Sequence, residues 1–108
     1  MIKIRFSTKA ISDLQQTKTY ICNELCNEQA ALSTVNKILE RVRILQQFPK
    51  SGTPLSSIVP FETNYRFLVC RNYVVFYRYE KDTVSIIRIL YGRRDFMQAL
   101  FETTAEED

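Results

Sequence analysis

The 108-residue chain reads as a two-layer α+β domain, a helical hairpin packed on an antiparallel β-sheet in the order β-α-α-β-β-β. Three observations carry that reading. The first six residues alternate apolar with charged. Two runs of helical periodicity follow with almost no linker. Three runs dense in β-branched and aromatic residues come next, separated by tight turn signals.

Residues 1–6, MIKIRF, set Ile2, Ile4 and Phe6 against Lys3 and Arg5, the pattern of a strand with one buried face. Ser7 and Thr8 then offer cap oxygens to a helix. Ile11, Leu14, Ile21 and Leu25 recur at three-to-four-residue spacing and predict a helix over about residues 8–26, with Asp13, Gln15, Gln16 and Lys18 on its polar side. Asn27 is a break and a second cap. Ala31, Val35, Ile38, Leu39, Val42, Leu45 and Phe48 form a second stripe, which Pro49 closes. Residues 49–64 hold all three prolines and one of the two glycines, and read as an extended loop long enough to suggest a function. Tyr65–Cys70, Tyr73–Tyr79 and Thr83–Tyr91 are strands, with Arg71-Asn72 and Glu80-Lys81-Asp82 as the turns of a meander. Gly92 breaks the last strand, and Arg93–Phe101 has the pattern of a short final helix with Phe96, Leu100 and Phe101 on its apolar side. One face of the sheet receives the hairpin; the other is expected to stay at least partly open, with basic residues gathered on it. Residues 1–101 form the single domain, and 102–108 an acidic tail.

Composition narrows the function. With two glycines, dinucleotide folds and phosphate-cradling loops are disfavoured, so no cofactor is expected. There is no histidine, and three cysteines (Cys22, Cys26, Cys70) make neither a disulfide framework nor a zinc set; they read as buried small side chains in a reducing cytoplasm, and no metal is expected. No run is long enough to span a membrane, and the N-terminus lacks the apolar core of a signal peptide, so the expected location is cytoplasmic. The net charge is only +3, but Glu102, Glu106, Glu107 and Asp108 mask a balance of +7 over residues 1–101 (15 basic, 8 acidic). Such a body suits a polyanion or an acidic protein partner; solubilising surface charge is the plainer reading.

Three segments, in order, resemble those of one family. Phe48-Pro49-Lys50-Ser51-Gly52 resembles the loop after the second helix of ParE-like toxins. Tyr65-Arg66, followed by Tyr73 and Tyr77, is similar to their central strand pair. Ile87-Arg88-Ile89-Leu90-Tyr91-Gly92-Arg93-Arg94-Asp95 resembles their closing motif, with Tyr91 where a histidine is usual. The resemblance to the RelE/ParE superfamily, closer to ParE, covers almost the whole chain. It implies a plasmid-stabilisation type toxin of a bacterial type II toxin–antitoxin system, a growth inhibitor neutralised by a cognate antitoxin. ParE-like members poison DNA gyrase; RelE-like members cut messenger RNA on the ribosome. No small-molecule substrate and no membrane partner is implied. The histidine-dependent chemistry of some relatives does not carry over to this chain.

Cleavage through the ribose 2′-hydroxyl needs a base, a cation for the phosphorane-like transition state and an acid for the leaving oxygen. Arg66 suits the second task because its planar fork meets two phosphate oxygens, and it matches an arginine of the RelE-like active face. The structural alternative has it paired with Glu62 or Asp95. Arg94, by its distance from Gly92, matches a RelE-like catalytic arginine; with Arg93 it is equally a solvated pair at a helix start, where Asp95 reads as an N-terminal carboxylate. Tyr91 is a candidate acid or stacking ring, or a residue packed on its neighbours. Lys50 stands alone in the loop where RelE-like members place basic residues. Arg88 inside an apolar run either pairs on the open face or is redirected by a bulge. Tyr73, Phe76, Tyr77 and Tyr79 read as core and cross-strand pairs. Ser51 and Thr53 have no partner base and are set aside as nucleophiles. The readings in play are a gyrase-binding toxin, a ribosome-dependent endoribonuclease, and a non-catalytic RNA-binding or interaction module. The last is disfavoured because no RNP-type aromatic motif is present. The antitoxin is expected on the open sheet face and in the groove beside the hairpin, as a docked helix or an added strand.

Overall fold

The computed structural model describes residues 2–92 and 96–102, without the side chain of residue 102. Strand β1 (Lys3–Phe6) leads into helices α1 (Thr8–Glu24) and α2 (Glu28–Ile44). Then come the two-residue strand β2 (Thr53–Pro54), a 3-10 turn (Leu55–Ser57), strands β3 (Tyr65–Cys70), β4 (Tyr73–Glu80) and β5 (Thr83–Tyr91), and a π-helical turn (Gln98–Glu102). The sheet order is β1-β5-β4-β3-β2. The three long strands form the expected antiparallel meander, but β1 lies parallel to β5, so the sheet is mixed. The hairpin carries the chain from one edge of the sheet, over a face, to the other edge, and that crossover is what permits parallel pairing.

Local chemistry sets the boundaries. Ser7 caps α1 by accepting from the Ala10 N–H at 2.9 Å, and the Asn27 Oδ1 caps α2 by accepting from the Ala30 N–H at 2.9 Å. Helix α1 stops at Glu24 rather than near 26 because Cys26 takes a left-handed conformation, φ 50°. The Lys81-Asp82 turn has φ of 51° and 62°, the twist that matches a two-residue hairpin.

The helix-facing core joins Ala10, Ile38, Val42 and Leu45 to Leu68, Val75, Tyr77, Val84, Ile86 and Ile89. Half of the predicted stripe of α1 holds: Ile21 is buried and Leu14 packs against this core, whereas Ile11 and Leu25 are exposed and Ala10, Asp13 and Thr17 are buried. Phe48, expected to end the stripe of α2, is also exposed. Of the cysteines only Cys70 is buried; Cys22 is half-buried, and Cys26 is exposed at the turn between the helices.

The far face of the sheet is partly open, as expected, and partly covered. Leu55, Val59, Phe67, Val74, Phe76 and Leu100 form a second apolar cluster, with Tyr65, Ile87, Leu90 and Phe96 packed against it. The chain after β5 returns across this face, with Phe96 stacked on Phe76 at 5.6 Å and Phe101 against Tyr65 at 5.4 Å. Alternation alone does not reveal this cover, because both faces of β4 are apolar.

Candidate functional site

The loop after α2 is clamped to the sheet by one residue pair. Arg66 on β3 and Tyr77 on β4 face each other in register. The Tyr77 hydroxyl donates to the Pro49 carbonyl and accepts from the Gly52 N–H, both at 2.9 Å. The Arg66 guanidinium donates to the carbonyls of Gly52 at 2.7 Å and Lys50 at 3.1 Å. Four backbone groups of a loop without regular structure are thereby satisfied from the sheet. Gly52 makes the approach possible: a Cβ there would stand 2.6 Å from the Tyr77 hydroxyl, 2.7 Å from its ring and 2.8 Å from the Phe67 carbonyl. The Pro-x-x-Gly spacing, the arginine of the Tyr-Arg pair and the later Tyr77 are thus parts of one device.

A second polar device locks the hairpin to the sheet. Between Phe76 and Tyr77 the β4–β5 register slips, leaving Ile87 as the extra residue of a bulge. Helix α1 supplies what the disrupted ladder lacks. The Ser7 hydroxyl donates to the Ile87 carbonyl at 2.8 Å, and the Ile89 N–H donates to Asp13 at 2.9 Å. Asp13 also receives the Arg88 fork at 2.8 and 2.9 Å. This two-point pairing raises the Arg88 pKa above its ordinary value against the opposing effect of burial. Of the two sequence alternatives for Arg88 the bulge holds: the side chain pairs with Asp13 of α1, on the helix-covered face and not on the open one.

The candidate acid–base residues are only partly gathered. Lys50 and Arg66 meet at the loop, but the contact is through the Lys50 carbonyl, while its side chain is exposed beside Phe48, Ser51 and Tyr79. Among the described residues Arg66 bonds to loop carbonyls and not to Glu62. Tyr91 lies at the other end of the sheet, edge-to-face with Tyr73 at 5.3 Å. Tyr73 and Tyr77 are four residues apart on β4, so Tyr91 stands about 13 Å along the strands from Arg66. Arg93, Arg94 and Asp95 lie outside the described residues. Among the described residues no group of three histidine, cysteine or acidic side chains is placed to hold a metal, and no helix is long and apolar enough to cross a membrane.

A groove that the sequence had joined to the open face stands on its own between α2 and β3. Lys37, Glu40, Arg41 and Ile44 line one wall; Val69, Cys70 and Arg71 line the other. Strand β2 pairs only with Arg66 and Phe67, so among the described residues the outer edge of β3 past Phe67 has no strand beside it. Arg41 reaches the Val69 carbonyl at 3.4 Å, and the Ile44 and Val69 side chains are about half exposed. Helical periodicity marks neither residue as special; the signal was the two-residue length of β2, which only the folded sheet reveals.

The family model of the ParE toxin of the type II toxin–antitoxin system parDE matches residues 4–96. The chain belongs to the ParE toxin family. Its structure is similar to that reported as the chromosomal ParDE TA system from P. aeruginosa, with a TM-score of 0.72 and 26% identity, covering 86% of this chain and 98% of that one. No curated protein matches it.

In this ParE-family toxin the clamp tyrosine, Tyr77, bonds to loop backbone, and Tyr73 packs edge-to-face on Tyr91. Burial pushes the Tyr77 hydroxyl above its ordinary pKa of 10.0, more than the Gly52 N–H and the Arg66 charge pull it down. Burial likewise raises Tyr73, against a hydrogen bond with Thr17. A group whose pKa rises on folding contributes stability that is complete below its unfolded pKa and is lost as pH climbs through the folded value. The toxin is therefore expected to hold its stability up to about pH 10 and lose it above, as Tyr73 and Tyr77 ionise. Denaturant unfolding at stepwise pH checks this; a stability that does not fall above about pH 10 would refute it.

Proposed function

We propose that this chain inhibits growth by binding DNA gyrase, and that it is held inactive by a cognate antitoxin. The observation that supports binding over RNA cleavage is the commitment of Arg66. Its guanidinium is spent on two loop carbonyls, and Tyr91, the candidate acid, stands at the far end of the sheet. Catalysis by preorganised charge needs donors aimed at the reacting phosphate, with acid and base within hydrogen-bond reach. Family membership adds support, since ParE-like toxins act on gyrase.

The α2–β3 groove is the antitoxin site in this reading. It offers an unpaired strand edge, two apolar side chains and the cations Lys37, Arg41 and Arg71, which suit an extended segment of mixed apolar and acidic character. The cations speed the encounter, and the edge and apolar contacts hold the complex.

One experiment tests both statements. Purified toxin is added to gyrase with relaxed plasmid, and in parallel to a reconstituted translation reaction whose messenger RNA ends are mapped by primer extension. The expected result is lost supercoiling with intact message. Antitoxin should restore supercoiling to the wild-type toxin but at least tenfold less effectively to Val69→Lys, a shift of about 1.4 kcal/mol. Cuts at ribosome-occupied codons with normal gyrase activity would establish the nuclease alternative instead.

A further inference from the structure

The cover over the second face of the sheet is incomplete. It shields the strand segments that carry Phe67, Val74, Phe76, Ile87 and Leu90. Beyond it a polar row crosses four strands through paired registers: Arg5 on β1 opposite Ser85 on β5, Ser85 opposite Arg78 on β4, and Arg78 opposite Tyr65 on β3. Ile4 and Phe6 belong to the helix-facing core, so Arg5 and Lys3 project from the other face, and both are exposed. Arg5 and Arg78 flank Ser85 from either side, about 10 Å apart by two strand spacings.

Arg78 is held in an unusual way. Its guanidinium lies 5.7 Å from the centre of the Tyr65 ring, and among the described residues its Nε, shut off from solvent, has no hydrogen-bond partner. An incoming anion cannot reach that Nε; the side chain as a whole is only partly buried, and an anion would meet its outer guanidinium nitrogens. The carboxylate two residues along β4, Glu80, is engaged by Asn64. At the Tyr65 end the row runs into an aromatic cluster. Phe101 packs on Tyr65 and on Phe61, each at 5.4 Å, and Phe61 and Phe101 keep 41% and 37% of their surface exposed.

We propose that this row binds the phosphodiester backbone of a single-stranded nucleic acid, with a base stacking on the Phe61–Phe101 rings. Arg5, Arg78 and Lys3 offer only donors, which match the acceptor-only oxygens of phosphate, and an arginine fork meets two such oxygens together. Cations leading into exposed rings are the arrangement that holds single strands without reading their sequence. An acidic peptide strand is less well served, because the backbone of β5 and β4 beneath the row is already paired on both sides and leaves no edge to extend. The proposal does not depend on gyrase or antitoxin: either can fail while the other holds.

The test is fluorescence anisotropy of a labelled oligothymidine about a dozen nucleotides long, titrated with purified toxin over a series of salt concentrations. Arg5→Gln, an exposed change that leaves the core untouched, is expected to weaken binding several-fold. It should also flatten the log–log salt dependence by about 0.7, the step for one phosphate contact on a single strand. Adding Arg78→Gln should flatten it by a similar step, whereas Phe61→Ala should weaken binding without changing the slope. Lys18→Gln on α1, exposed and outside both the row and the α2–β3 groove, should change neither. The proposal is overturned if Lys18→Gln weakens binding as much as Arg5→Gln, since net charge then suffices. It is equally overturned if a hexaglutamate peptide displaces the oligonucleotide at equal charge concentration, or if Arg5→Gln binds like wild type.

Discussion

Asp13→Ala is expected to cost about 3–5 kcal/mol of folding stability, the largest loss from any single change in α1. The Arg88 and Asp13 side chains keep only 21% and 8% of their exposure, so little water is at hand to replace the lost carboxylate. The Ile89 N–H at the bulge loses its partner in the same step. For a chain of this length the melting temperature should fall by at least about 10 °C. Asp13→Asn separates the two contributions, because its oxygen still accepts from Ile89 while the charge is gone; it should fall between wild type and Asp13→Ala. Denaturant unfolding of the three proteins measures this. Equal stability of wild type and Asp13→Ala would show that the bulge does not need the helix.

Gly52→Ala is the second. The added Cβ meets the Phe67 carbonyl at 2.8 Å as well as the Tyr77 side chain, and the carbonyl belongs to a paired strand that cannot withdraw. The loop must lift instead, and the clamp bonds of Tyr77 and Arg66 lengthen or break. Overpacking of this kind costs about 1–3 kcal/mol, and each lost hydrogen bond adds roughly 0.5–1.5 kcal/mol. Tyr77→Phe, which removes two hydrogen bonds without a clash, should cost less. A thermal melt of Gly52→Ala within one degree of wild type would mean that the loop is not clamped in solution.

Both predictions fall on residues that the sequence signalled unevenly. Gly52 was visible as part of a loop motif, and Arg88 as a charge in an apolar run that demanded a pair or a bulge. Asp13 was assigned to the polar side of α1, where an acid between apolar residues ordinarily belongs. Arg66 was visible as a functional arginine, but its structural partners were sought among carboxylates. Backbone carbonyls carry no identity in a sequence, so a guanidinium that serves them looks free.

What the sequence by itself determined was the order and type of the six main elements, the two helix caps, the hairpin turns and the family. Those depend on neighbours three or four residues away and on turn chemistry written in single residues. The tertiary structure alone decided four things. It set β1 parallel beside β5, turned Asp13 and Thr17 inward, covered part of the second face with the segment after β5, and kept β2 to two residues, so that the β3 edge past Phe67 has no strand beside it among the described residues. Each is a matter of which distant surface a segment meets. Alternation says that a strand has two faces, and nothing local says what will cover them.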